Sequence, residues 1–497
     1  MTDDVRRLAH RVLMPGFAGT RLPSWLSRAV HDGLGGICVF GHNVASTDQL
    51  RALTDDAHGL GRVVVSIDEE GGIVSRLGAA GGSRHVGAAA LGRVGDPGLT
   101  ERVAASVAVD LREVGVDLDL APVADVTSNP DNPVIGVRSF GTDPSAVGEH
   151  VAAFVRGLQS TGVAACAKHF PGHGDTSVDS HVGLPRIDVD LDTLRSRDLP
   201  PFAAAVEAGA RAVMTAHIVF GALDDAPATV SAPVLSLLRD DLGFDGAIVS
   251  DAMDMRAVVQ SIGLAEACVR AVAAGVDLVA LGNPVLNTPE GDDEATFGAA
   301  LDAVVRAVHD GVLDVARLRE AAGRVDALER WCADRRHGEV PQPDQDVDDE
   351  AARRSLHTTG DVAGALSGTV EIVDIRRRRN IASGGNAALI AQALAQRLPG
   401  SRVVAGFAPG RAVEGRADGA VDPSTQLQAG RADVIITGTP TLDEVEQRAL
   451  RQLLAASPGA VVVCTGLADD EVLRADRVVR TFGDSWPTAR AVADLLT

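Results

Sequence analysis

Short apolar segments rich in β-branched residues recur along the first two thirds of the chain, and amphipathic stretches separate them. Most of these segments are almost continuously apolar, which is typical of parallel strands that are covered on both faces. The intervening residues 100–114, 146–158 and 199–208 carry Ala, Val and Leu at helical spacing. The candidate strands are residues 12–14, 36–40, 63–67, 116–120, 163–167, 212–214, 247–249 and 278–281.

This alternation of eight strands with helices predicts an α/β fold with a (β/α)8 TIM-like barrel. A doubly wound sheet is the competing prediction, since spacing alone does not separate the two. At 497 residues the chain is also too long for a single core of ordinary size. We therefore expect a second domain.

Residues 334–350 are polar, contain prolines and show no periodic spacing of apolar residues, which predicts a linker. Beyond it, residues 370–375, 402–405, 434–437 and 461–465 are candidate strands, and residues 387–397, 442–455 and 487–496 are candidate helices. The sequence thus predicts a barrel over residues 1–335, a linker over 336–352 and a smaller α/β sandwich domain over 353–497.

The net charge and the cysteine content limit which classes of partner and which cellular compartment the sequence favours. The 68 acidic and 46 basic residues give a net charge of −22, which argues against nucleic acid and anionic membrane surfaces as partners. The five cysteines are odd in number and scattered, which favours reduced thiols. No apolar run reaches the roughly 18 residues of a spanning helix, and no signal-like segment follows the charged N-terminus. We expect a cytoplasmic protein.

Polar residues follow five of the candidate barrel strands at their carboxyl ends, where barrel enzymes carry their chemistry. Each of them alone is compatible with a turn or a helix cap, but five together favour a shared pocket. Asp125 and His217 either line this pocket or support it. The residues are Asp68, Asp125, Lys168 with His169, His217, and Ser250 with Asp251.

The segment from Lys168 to His181 holds one Lys, three His and two Asp in fourteen residues, and its prolines and glycines exclude a regular helix. Such a density of titratable groups after a buried strand indicates a site. Asp251 is a nucleophile, a general base or a helix cap. Within the segment, Asp179 and His181 offer an acid/base partner, because a carboxylate can fix the tautomer of an imidazole.

A metal site is an alternative use of the same segment, since His169, His173 and His181 with Asp175 or Asp179 have suitable ligand chemistry. Two observations oppose it. Pro171 and Gly172 break the helical spacing between the first two histidines, and Lys168 would repel a cation. We expect neither a metal nor a cofactor.

Four blocks of the chain resemble glycoside hydrolase family 3, in its β-N-acetylglucosaminidase branch. The segment from Lys168 to Thr176, followed by Asp179-Ser-His181, resembles the signature of that branch. The segment from Asp68 to Arg76 is similar to the family's Asp-Gln-Glu-Gly-Gly block, with Glu69 in place of Gln. Two further blocks, Ile-Gly-Val-Arg-Ser-Phe around Arg138 and Ser-Asp-Ala-Met around Asp251, resemble family motifs in the same order.

The resemblance implies a role for each matching residue. Asp251 would be the nucleophile, and His181, paired with Asp179, the acid/base. The groups that hydrogen-bond the terminal sugar would be Asp68, Arg76, Arg138, Lys168 and His169. The implied activity is a retaining exo-β-N-acetylglucosaminidase acting on small oligosaccharides or glycosides from cell wall or chitin, as a monomer or homodimer. An imidazole acid/base predicts a pH optimum near ~6.5.

Three other functions stay open at this point. A carboxylate acid/base would repel phosphate by about 4 kcal/mol at 4 Å and an effective dielectric of about 20, whereas a neutral imidazole would not. Phosphorolysis to a sugar 1-phosphate is therefore an alternative to hydrolysis. A β-glucoside or β-xyloside preference is a second, and a non-catalytic sugar-binding protein is a third. Aromatic residues make up only 3% of the chain, which favours removal of one terminal sugar over endo-cleavage.

Overall fold

The computed structural model describes residues 2–176, 184–287, 292–338, 342, 344–377, 388–407 and 427–497. All eight predicted barrel strands are present, and their bounds differ from the predicted ones by a few residues at most. All eight are buried. They are β1 (Leu13–Pro15), β2 (Gly36–Val39), β3 (Val64–Ile67), β4 (Leu118–Asp119), β5 (Ala164–Phe170), β6 (Ala212–Thr215), β7 (Ala247–Val249) and β8 (Val279–Gly282).

These strands run parallel around one core. Six of them form a sheet in the order β7-β6-β5-β4-β3-β2, and β8 pairs with β1. A bridge from Val249 to Leu278 joins β7 to β8. On the other side of β1, the residues just before β1 contact the residue just before β2. The Gly35 N–H donates to His10 O at 3.0 Å, and a Cβ on Gly35 would lie 2.0 Å from Arg11 O. The prediction of a barrel is confirmed, and the doubly wound sheet was wrong.

Side chains alternate between the two sides of each barrel strand. Met14, Cys38, Leu118, Cys166 and Met214 fill the interior, whereas their neighbours along the strands pack under the surrounding helices. The three predicted barrel helices are present as Pro97–Glu113, Pro144–Ser160 and Pro200–Glu207. Other described barrel helices are Thr2–Arg11, Ser24–His31, Thr47–Leu60, Ala88–Val94, Ala232–Ser236, Arg256–Ser261, Leu264–Ala274, Pro284–Asn287, Asp293–His309 and Val315–Arg336.

The C-terminal part forms a second, mixed sheet of six strands. In chain order these are β9 (His357–Thr359), β10 (Glu371–Asp374), β11 (Arg402–Ala405), β12 (Val434–Thr437), β13 (Val461–Cys464) and β14 (Val478–Arg480). Their spatial order is β9-β14-β13-β12-β10-β11, and only β9 runs antiparallel to its neighbour. The helices Leu389–Arg397 and Trp486–Leu496 cover one face, and Glu444–Ala456 covers the other. The predicted α/β sandwich is confirmed.

The connection between the two sheets contains an additional helix, Val347–Ser355. It begins inside the predicted linker, and Val347, Ala351 and Ala352 join the apolar core of the barrel. Among the described helices, none is both long enough and apolar enough to cross a membrane.

Candidate active site

The chain leaves β3 in an extended conformation that sets the direction of three successive carboxylates. Glu69–Gly71 pairs antiparallel with Val74–Ser75. Because successive side chains of an extended segment point to opposite faces, Asp68 and Glu70 share one face and Glu69 takes the other. Glu69 Oε2 accepts the backbone N–H groups of Arg76 and Leu77 at 3.0 Å each. Glu69 therefore holds the turn that carries Arg76.

Asp68 and Glu70 belong to a chain of five alternating charges. Lys168 Nζ lies 2.7 Å from Asp68 Oδ1 and 2.6 Å from Glu70 Oε1. Arg138 donates both Nε and Nη2 to the Glu70 carboxylate, at 2.8 and 2.7 Å. At the other end, Arg76 Nη2 donates to Asp68 Oδ2 at 3.2 Å. The charges run in the order Arg76–Asp68–Lys168–Glu70–Arg138, and we name these five residues the site-charge chain. They lie in β5 or in the segments that follow β3 and β4.

The charges of the site-charge chain offset the desolvation cost that burial imposes on each of them. Burial disfavours both carboxylates in their ionised form, but Lys168, Arg76 and Arg138 outweigh it. They hold the pKa of Asp68 far below its usual range and lower that of Glu70 to about 2. In return, the two carboxylates raise the pKa of Lys168 above its usual value despite burial. Asp68, Glu70 and Lys168 therefore stay charged at neutral pH.

Exposure differs along the site-charge chain. Lys168, Arg138 and Glu70 have side chains only 2%, 4% and 5% exposed, whereas Arg76 and Asp68 reach 12% and 16%. The buried members fix the geometry, and the Arg76–Asp68 end borders solvent. Charge-assisted hydrogen bonds from such a fixed pair suit recognition of sugar hydroxyls.

His169, the next predicted sugar-binding residue, is held by Asp125. Its Nδ1–H donates to Asp125 Oδ2 at 2.8 Å, while Asp125 Oδ1 accepts the backbone N–H groups of His169 and His173. Asp125 is fully buried. It therefore supports the site by fixing the tautomer and the orientation of His169.

The base of the segment that follows β5 is tightly packed. A Cβ on Gly174 would lie 1.6 Å from Val126 O. Asn132 Nδ2 donates to His173 O at 2.8 Å, and the His173 ring bonds to Thr176 Oγ1 at 3.0 Å. Burial and the neighbouring His169 lower the pKa of His173 to about 4, so His173 is neutral at pH 7.

Asp179 and His181, the predicted acid/base pair, lie outside the described residues. The metal-site alternative also requires His181. Within the described ranges, no three His, Cys, Asp or Glu side chains cluster as metal ligands. Of the three histidines proposed as metal ligands, the two that are described bond to protein groups, His169 to Asp125 and His173 to Thr176.

Asp251 follows β7 at the carboxyl end of the barrel and is partly exposed. Its Oδ1 accepts the N–H of Ala252 at 2.7 Å. His217, after β6, donates Nε2–H to Ala252 O at 2.9 Å and is fully buried, so it supports the turn that carries Asp251. His173 follows β5 and Asp251 follows β7, so both residues lie at the carboxyl end of the barrel.

Glu70, which joins Lys168 to Arg138, was not among the site residues predicted from the sequence. A signal for it was available, because Glu70 is two residues from Asp68 in an extended segment and must share its face. Residues Asp68, Arg76, Arg138 and Lys168, separated by up to 100 positions in the chain, meet in one network. The roles assigned to them and to Asp251 stay predictions.

Comparison with known proteins identifies relatives of this architecture. Residues 23–328 match the family model of the glycosyl hydrolase family 3 N-terminal domain. "Beta-hexosaminidase A" of Pseudoalteromonas piscicida is 37% identical over an alignment of 287 residues, and the match covers 52% of this chain but only 48% of that protein. "Beta-hexosaminidase" of Stenotrophomonas maltophilia (strain K279a) is 35% identical over an alignment of 350 residues, and the match covers 66% of this chain and 96% of that protein.

A solved structure extends the likeness to both domains. The glycoside hydrolase family 3 beta-N-acetylglucosaminidase from Paenibacillus sp. str. FPU-7 superposes with a TM-score of 0.84 at 27% identity. The match covers 99% of this chain and 96% of that one. The family model covers more than half of the chain, and the resemblance seen in the motifs is thereby confirmed: the chain belongs to glycosyl hydrolase family 3.

Proposed function

We propose that the protein is a retaining exo-β-N-acetylglucosaminidase that removes one terminal β-linked N-acetylglucosamine through a covalent glycosyl-aspartate on Asp251. The names of the two curated relatives and of the superposed structure support this activity. The observation that carries the proposal is the site-charge chain, which offers a preorganised polar end beside the barrel mouth where Asp251 lies.

In the first step, an oxygen of the Asp251 carboxylate attacks the anomeric carbon, and the bond to the leaving oxygen breaks. The protonated His181 imidazole gives its proton to that oxygen, so the leaving group departs as a neutral alcohol. Asp179 would stabilise the imidazolium before transfer. The sugar is then bound to Asp251 as an ester with inverted configuration.

In the second step, the neutral imidazole takes a proton from water, and the water oxygen displaces Asp251 from the anomeric carbon. This second inversion restores the β configuration and the starting charge states. Through both steps, Asp68, Arg76, Arg138, Lys168 and His169 would hold the sugar ring. The buried ion pairs of Glu70 and the hydrogen bond of Asp125 to His169 would keep those groups in place.

The test is cleavage of 4-nitrophenyl β-N-acetylglucosaminide beside the matching β-glucoside, with and without phosphate, while the sugar product is identified. We expect free N-acetylglucosamine and a fall in kcat of about 10³-fold or more in Asp251→Ala. Asp245→Ala is the matched control, because Asp245 is an exposed carboxylate at the amino end of the same strand.

Other outcomes would replace the proposal. Sugar 1-phosphate as the product would make the enzyme a phosphorylase on the same residues. Faster turnover of the β-glucoside would change the substrate class. Sugar binding without turnover of any aryl glycoside would indicate a binding protein.

Fragments of cell wall or chitin in the cytoplasm are the proposed natural substrates, as part of peptidoglycan recycling. All five cysteines are buried free thiols, which supports a reducing compartment. Fractionation of the native cells, followed by blotting for this chain, tests the location. A monomer or homodimer remains the predicted state.

A further inference from the structure

The segment from Arg76 to Gly87, which we name the Arg76 loop, connects the two ends of the sugar-side network. It begins at Arg76, which pairs with Asp68, and it returns against the glycines that follow Glu70. There, Gly72 N–H donates to His85 O at 2.9 Å, and a Cβ on Gly71 would lie 2.4 Å from Val86 O. A displacement of this loop therefore moves Arg76 and Glu70 together.

Residues from beyond the barrel hold the outer side of the Arg76 loop. Trp486, the first residue of the last helix, donates its indole Nε1–H to Gly81 O at 2.7 Å and its backbone N–H to Ser83 O at 3.0 Å. Between these two bonds, a Cβ on Gly82 would lie 2.6 Å from Leu389 Cδ1. The tip of the loop thus lies directly on the C-terminal domain.

A second attachment lies at the returning end of the loop. His85 is buried, with Nδ1 2.9 Å from Asp348 Oδ2 and Nε2 3.3 Å from Asp110 Oδ2. Asp348, in the helix Val347–Ser355, also accepts the N–H of Val86 at 2.9 Å. One aspartate from outside the barrel therefore binds both the side chain and the backbone of the loop.

Residues that follow β14 lie beside Glu70 and Arg138. Phe482 and Gly483 line a narrow pocket together with these two residues and Gly71. The C-terminal domain thus packs against the back of the site-charge chain as well as against the loop.

We infer that residues beyond the barrel position the sugar-binding end of the site: Trp486 of the C-terminal domain and Asp348 of the connecting helix are positioning residues that fix Arg76 through the Arg76 loop. This inference rests on the proposed function for its kinetic readout. It assigns the C-terminal domain a part in substrate affinity while all chemistry remains in the barrel. Neither residue touches the sugar, and neither takes part in proton transfer or bond breaking.

The test is Trp486→Phe, which removes the bond to Gly81 O and keeps an aromatic ring. For N-acetylglucosaminide cleavage we expect KM to rise about 3- to 10-fold, as for loss of one hydrogen bond, while kcat stays within about twofold. Gly82→Ala, which crowds Leu389 and forces a side chain onto a φ of +88°, should act in the same direction.

Two control variants separate positioning from general destabilisation. Trp25→Phe makes the same chemical change at a buried indole whose Nε1 has no hydrogen-bond partner among the described residues. Arg354→Gln breaks a contact of the helix Val347–Ser355 with Asp96, away from the Arg76 loop. Both should leave KM unchanged.

A double-mutant cycle with Arg76→Ala decides whether the effect passes through Arg76. If it does, Trp486→Phe raises KM in the wild type but adds nothing in the Arg76→Ala background. Additive effects, or an unchanged KM in both Trp486→Phe and Gly82→Ala, would overturn the inference.

Hydrogen exchange provides a readout that needs no activity. Amides of residues 76–87 should exchange faster in Trp486→Phe than in the wild type or in Trp25→Phe. If the wild type cleaves no glycoside, the proposed function fails, yet this measurement still decides the positioning role. Unchanged exchange in the loop would reject it.

Discussion

The carboxyl ends of the two sheets both carry buried charges, but they are organised differently. At the barrel, the site-charge chain is open, and its Arg76–Asp68 end is partly exposed. At the C-terminal sheet, Arg376 lies between Asp374 and Asp484, all three side chains 15% exposed or less. The first network therefore borders solvent at its Arg76–Asp68 end, whereas in the second the central cation lies between two largely buried carboxylates.

A second buried carboxylate of the C-terminal sheet strengthens this contrast. Glu446 accepts Thr437 Oγ1–H at 2.6 Å and the N–H groups of Gly438 and Arg377, which are uncharged donors. Burial raises the pKa of Glu446, whereas the cations around Glu70 lower that of Glu70 to about 2. The pKa values of these two buried glutamates thus shift in opposite directions because of their partners. Burial alone does not mark a site.

The largest expected effect comes from Glu70→Gln, which leaves Lys168 and Arg138 buried without their shared anion. Loss of one partner of a buried ion pair costs about 3–5 kcal/mol. We expect kcat/KM for the N-acetylglucosaminide to fall about 10²- to 10³-fold, since the displaced cations are the proposed sugar-binding groups. Steady-state kinetics of Glu70→Gln and Glu446→Gln, measured side by side, test the contrast between the two glutamates. The Glu446 variant should keep its activity. Equal losses in the two variants would remove the distinction between the sheet edges.

Arg376→Met should damage stability without damaging catalysis. It leaves Asp374 and Asp484 facing each other in a buried position, which we expect to lower the free energy of unfolding by about 3 kcal/mol. Urea denaturation measures this loss, and kcat per folded molecule should remain unchanged. A change in KM larger than that of Trp486→Phe would instead connect the Arg376 network to the substrate.

A smaller effect is expected from pH acting on His85. Burial opposes the imidazolium, but Asp348 and Asp110 outweigh it and raise the pKa of His85 to about 10. Because this pKa lies above the unfolded value, the stabilisation is complete below pH ~6.5 and is lost as pH rises toward 10. Relative to His85→Gln, the wild type should lose stability as the pH rises from 6 to 10. Denaturation midpoints across that range check it, and parallel curves for the two proteins would contradict it.

Most of the fold was predictable because its strands are continuous apolar runs. The two missed strands of the C-terminal sheet, His357–Thr359 and Val478–Arg480, are three residues long, and the first contains no aliphatic residue. The helix Val347–Ser355 was hidden among acidic and basic residues, although Val347 and Ala351 keep helical spacing. Short or weakly apolar elements are selected by the surface on which they pack, and local sequence does not contain that information.

By itself, the sequence determined the alternation of strands and helices, the motifs of the family and the polar residues at the carboxyl ends of the strands. Only the tertiary structure decided which charges pair: that Glu70 joins Lys168 to Arg138, that Asp125 holds His169, and that Trp486 bonds to the Arg76 loop. The physical reason is range. Strand and helix preferences act over a few neighbouring residues, whereas an ion pair or hydrogen bond acts across about 3 Å of space and joins positions up to 405 residues apart.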